Sequence, residues 1–102
     1  MLTRGHRDRP MMGIAWYKPE QWQRLREVSA DPEKLEQTHA EWQALATQTL
    51  GDLQRNGFSV RKVDVNVEEL VTWCREKGMA IDAQARSSFA VHKLHGMNES
   101  KP

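Results

Sequence analysis

Apolar residues along this chain fall into short runs with two different periods, separated by proline, glycine and helix-capping residues. Gly13-Ile14-Ala15-Trp16-Tyr17 is β-branched and aromatic, and it stops at Lys18-Pro19, where the residue before proline is pushed to extended backbone. It predicts a strand over 13–17. Pro19 then suits the first position of a helix, Glu20 faces the positive dipole end, and Trp22, Leu25 and Val28 share one stripe that ends by Ala30. Asp31-Pro32-Glu33 repeats the start signal. Leu35, Trp42, Leu45, Thr49 and Leu53, with His39 and Ala46 at the seam, predict a long helix that closes at Asn56-Gly57. A left-handed Gly57 would let Phe58 reach back to Leu53.

Phe58 to Val65 reads as a second strand whose apolar parity changes midway. Either a bulge lies near Arg61-Lys62, or Phe58 belongs to the helix cap and only Val63 and Val65 point to the core. The second reading is simpler. Asn66 with Glu69 forms a cap, and Val65 with Leu70 a hydrophobic staple, for a third helix carrying Leu70, Val71, Trp73 and Cys74 and ending at Gly78. Asp82 opens a fourth helix with Ala85, Phe89, Ala90 and Leu94, and a polar tail follows from Gly96.

The expected fold is α+β and mostly helical, in the order β-α-α-β-α-α. Reversal at every connection sets the two strands antiparallel. Two strands alone are marginal and leave two open edges, so helices must pack the sheet or a second subunit must extend it. The organisation expected is a disordered tail over 1–12, one globular domain over 13–95 and a disordered tail over 96–102. Residues 1–10 lack periodicity, which suggests Met11 or Met12 as the initiator.

Four of the seven aromatic residues are tryptophans, one in each predicted element that bears one. Trp42 and Trp73 lie on well-capped stripes and are expected in the core. Trp16, Tyr17 and Trp22 flank the Lys18-Pro19 corner, where burial is least assured, and form the candidate partner surface.

Charge narrows the choice of partner. Fifteen Lys and Arg against fourteen Asp and Glu leave +1, with no basic block able to track phosphates. A helix-turn-helix over 67–94 is the alternative, with Gln84, Arg86 and Lys93 as nucleic-acid contacts; it is weakened where Gln84 and Ser87 replace apolar anchors. Cys74, the single cysteine, excludes an internal disulfide and suits a reducing cytosol, and the longest apolar run, Met11 to Tyr17, falls far short of a membrane span.

Candidate chemistry is sparse. Cys74 beside Arg75 could be an activated thiol, but its place on the apolar stripe reads as an inert core residue. His92 and His95 have ligand spacing without a third ligand, and His39 reads as a boundary residue. Asp64, Glu68 and Glu69 are explained by capping. No catalytic residue, metal site or cofactor is assigned.

Trp16-Tyr17-Lys18-Pro19-Glu20-Gln21-Trp22, Trp42, Leu70-Val71-Thr72-Trp73-Cys74 and the stretch from Gly78 to Arg86 resemble a family of small uncharacterised bacterial proteins, over about residues 13–92. The resemblance implies a bacterial cytosolic origin and carries no activity with it. The expected function is a noncatalytic protein-binding or regulatory module that forms a homodimer or holds another protein, with a nucleic-acid-associated regulator second and an enzyme using Cys74 last.

Overall fold

The computed structural model describes residues 11–99, and the side chains of residues 11–96. The sequence expectations for residues 1–10 and 100–102 lie outside the described residues. Strand β1 spans Met12–Trp16. A 3-10 turn at Pro19–Gln21 leads into α1, Trp22–Val28, and a second at Pro32–Lys34 precedes α2, His39–Arg55. Strand β2, Val60–Asp64, is followed by α3, Val67–Lys77, and α4, Ala83–Glu99.

The strands are parallel, not antiparallel, with Met12 opposite Val60 and Trp16 opposite Asp64. The expectation treated each helix of the first pair as a full reversal. Only α2 is one: its 17 residues reach about 26 Å, whereas the seven of α1 turn the chain sideways after the Lys18-Pro19 corner. The chain therefore comes back once, and β2 starts beside the start of β1, where Met12 N–H donates to Ser59 C=O at 2.8 Å.

Helix starts explain the other departures. The long helix opens at Thr38 instead of Asp31, because Thr38 and Glu41 cap each other's backbone reciprocally in a capping box. The C-terminal signals hold. Gly57 has φ of 90°, Phe58 N–H donates to Leu53 C=O and Gly57 N–H to Gln54 C=O, the pairing of a Schellman ending. Asn66 accepts from Glu69 N–H, and Gly78 is left-handed with φ of 67°. Helix α4 continues through Gly96 to Glu99, where a polar tail is expected from the sequence.

The core gathers Tyr17, Leu25, Val65, Val67, Leu70, Cys74, Ala85 and Phe89 between α1, α3 and α4. Val63 and Val65 are buried and Phe58 is exposed, as the simpler reading of the second strand requires. Helix α4 packs on the face of β1 that carries Gly13 and Ala15. A Cβ on Gly13 would stand 3.1 Å from Val63 Cγ2 and 3.3 Å from Leu94 Cδ2, so a larger residue there would have to push those side chains aside. By contrast α2 buries no residue fully, and Leu45 is 51% exposed.

The tryptophans divide differently from the expectation. Trp22 is the buried one, at 3% exposure, with its Nε1–H donating to Glu36 C=O at 3.0 Å. Trp42 and Trp73 are half-buried, because the helices that carry them are covered on one side only.

Candidate functional site

The free edge of β1 sets unpaired main-chain groups in a groove. The parallel ladder opens with Met12 N–H to Ser59 C=O and closes with Val65 N–H to Trp16 C=O. Since backbone direction alternates, the even residues of β1 face β2, and Gly13 and Ala15 turn N–H and C=O outward. Those groups have no hydrogen-bond partner among the described residues.

The two sheet edges differ in chemistry. On β2, Arg61, Lys62 and Asp64 are all exposed, the charged protection that natural edges use against unwanted pairing. From Met11 to Tyr17 there is no charge, no proline and no bulge.

An open groove of about 310 Å³ runs along Gly13, Ile14 and Ala15, between Leu35 and Trp42 on one side and Ala83, Arg86 and Ser87 on the other. Aromatic packing fixes the first wall. Trp42 lies 5.0 Å from Trp16, 5.4 Å from Tyr17 and 5.2 Å from Trp22, ring centre to ring centre. His39 Nε2 is 2.7 Å from Tyr17 C=O, and because a carbonyl only accepts, Nε2 carries the proton and donates. That bond takes up the next outward carbonyl and closes the edge beyond Ala15.

A buried ion pair holds the second wall. Arg86 Nη1 donates to Asp31 Oδ1 at 2.7 Å and to Ser29 Oγ at 3.2 Å, and Nη2 donates to Asp31 Oδ2 at 3.3 Å. The same carboxylate accepts from Ala83 N–H at 3.0 Å, which ties the loop after α1 to the first turn of α4. Its hydrogen bonds to Arg86 hold the Asp31 carboxyl below the usual carboxylate range, against the desolvation that would raise it. Burial pushes the Tyr17 hydroxyl up to about 12, partly offset by the Arg86 charge.

Of the expected partner surface, Trp16 stays half-exposed under Lys62 Nζ, 4.3 Å above its ring, Tyr17 is 5% exposed but lines the groove, and Trp22, at 3%, presents no binding face. Trp22 supports the groove by stacking on Trp42. Of the nucleic-acid set, Gln84 is exposed, Arg86 is buried on Asp31, and Lys93 is paired with Glu69 at 3.2 Å. The burial of Arg86 removes the cation on which that contact depended.

Cys74 is buried, and burial first, then the Asp82 charge, raises its thiol, so it is not poised as a nucleophile. The carboxylates of the acidic cluster separate, Glu68 onto Arg24 at 2.8 Å and Glu69 onto Lys93. His92 lies against Trp73 and Phe89. No group of three or more His, Cys, Asp or Glu among the described residues is arranged to hold a metal ion, and none of their helices is long and apolar enough to cross a membrane.

A second pocket, about 220 Å³, lies at the carboxyl ends of the strands between Lys18, Asp64, Asn66, Glu69 and Lys93. Open α/β sheets place ligands there. Here Lys93 is neutralised by Glu69, and two of the first three donors of α3 are already used, Val67 N–H by Gln21 Oε1 and Glu69 N–H by Asn66 Oδ1.

Sequence reading named the open sheet edges but missed Gly13, Ala15, Leu35 and Ser87 as parts of a site. The signal was present in the charge-free run Met11 to Tyr17 set against the charged second strand. Comparison with protein-family models, curated proteins and solved structures finds no match for the chain.

Proposed function

We propose that this protein is a noncatalytic protein-binding module that receives an extended segment of its partner as a third strand along β1. The observation that carries the reading is the pair of outward N–H and C=O groups on Gly13 and Ala15, set in an open groove on an uncharged edge. Four such groups, each contributing about 0.5–1.5 kcal/mol net, supply about 2–6 kcal/mol. A micromolar Kd needs about 8 kcal/mol, so the groove walls must contribute as well. The reading describes a weak, reversible binder in a reducing cytosol, to which the lone thiol is suited.

The test is a titration of ¹⁵N-labelled protein with acetylated five-residue peptides of high strand propensity, followed by amide NMR. Gly13 and Ala15 amides are expected to shift and to gain protection from exchange. Ala15→Pro deletes an edge N–H outside the ladder and is expected to fold and to lose the binding. Shifts confined to other elements, or undiminished binding by a folded Ala15→Pro protein, would refute the reading.

A further inference from the structure

Building on the strand-addition reading, we infer that the segment recognised is uncharged, with an apolar residue opposite Ile14 flanked by residues bearing a hydroxyl or amide oxygen. The pleat assigns the faces. A residue opposite Ile14 shares the side of the sheet on which Trp16 packs against Trp42, so its side chain meets aromatic surface and Leu35. Its neighbours, opposite Gly13 and Ala15, point to the α4 side, and the one at Ala15 meets Ser87 and Arg86.

Charge is disfavoured on that second wall in both senses. The Arg86–Asp31 pair is neutral and nearly enclosed, so a cation or an anion in the groove would lose water there without gaining a free counter-charge. An uncharged oxygen escapes that penalty and can accept from the exposed Ser87 hydroxyl. The slot is also short, because the His39 bond to Tyr17 C=O ends the free ladder after Ala15.

A single strand fits this slot, and a second copy of the chain does not. Helix α4 lies chiefly over β1. Two copies paired edge to edge, with strands about 4.8 Å apart, would bring their α4 helices within the roughly 8–10 Å that packed helices require.

The experiment measures the full chain against acetylated Ser-Thr-Val-Thr-Ser amide by NMR titration, beside versions with Lys or Glu in place of Val or of both Thr and a version N-methylated at alternate amides. The Val peptide is expected to bind at least tenfold more tightly than the Lys and Glu peptides, and the N-methylated one to lose binding. On the protein side, Ser87→Glu, at an exposed position, should weaken the Val peptide severalfold without changing the fold. Equal affinity for the Val, Lys and Glu peptides, with loss on N-methylation, overturns the inferred side-chain preference and leaves strand addition standing. Failure of every peptide at millimolar concentration, or binding indifferent to N-methylation, overturns both. A doubled mass in light scattering that Ala15→Pro abolishes names a second copy as the occupant and overturns the inference.

Discussion

Replacing Asp31 by alanine tests the clamp that holds the second wall of the groove. Both side chains of the pair are nearly enclosed, 9% exposed for Arg86 and 11% for Asp31, and the contact is two-pronged at 2.7 and 3.3 Å. Removing one partner of such a pair leaves an uncompensated buried charge, at a cost of about 3–5 kcal/mol. Asp31→Ala also frees Ala83 N–H, but the same carboxylate serves both roles, so the losses overlap. Against a total of about 5–15 kcal/mol for a domain, that is a large fraction, and at about 4–8 °C per kcal/mol the midpoint should fall by at least ~12 °C. Urea unfolding followed by tryptophan fluorescence measures the loss in stability, and thermal unfolding the shift in midpoint. Arg86→Met combined with Asp31→Ala should recover much of the loss, because the stranded charge is then gone. A single-variant loss under about 1 kcal/mol, or a double variant whose loss equals the sum of the two singles, would refute the argument. The pH dependence has a definite sign. Asp31 is depressed in the folded state, so its contribution is fully present above the unfolded carboxylate value of about 3.9 and is lost as pH falls through the lower folded value. Asp31→Asn should flatten that acid limb.

Main-chain direction in β1 is open to a proline scan: Ile14→Pro, whose N–H lies in the ladder, should unfold the protein or lower its midpoint sharply, whereas Ala15→Pro should leave circular dichroism unchanged. Gly13→Val should cost about 1–3 kcal/mol in urea unfolding, because Val63 and Leu94 already crowd that position. Cys74 should react with an aromatic disulfide reagent at pH 8 only at the rate of global unfolding, and labelling complete within seconds in the native protein would contradict its burial.

Local signals in the sequence were dependable where one or two residues decide the outcome. Gly57, Gly78, Asn66 and Asp82 each end or start a helix where the sequence places them, since caps act through bonds within a few residues. Strand direction was not legible, because it depends on which helices span the sheet, and a stripe of three residues does not distinguish a seven-residue turn of helix from a full return. Asp31 shows the limit most clearly. It resembles a cap for Pro32, yet its carboxylate caps Ala83 and neutralises Arg86, partners 52 and 55 positions away that no local pattern marks. The groove stayed hidden for the same reason, since Leu35, Trp42, Arg86 and Gly13 meet only once the chain has crossed over.

The seating of α4 on β1 also orders events during synthesis. The strand from Met12 to Trp16 leaves the ribosome uncharged and unpaired, and its ladder partner arrives only with Val60 to Asp64. Its face remains bare longer still, until Ala90 and Leu94 have been made and can settle over Gly13. Until Val60 to Asp64 has emerged, the nascent chain therefore displays an apolar strand open along both edges, a form prone to aggregate. Of the elements described, β1 emerges before every other and is covered only by the one that emerges after all of them, α4.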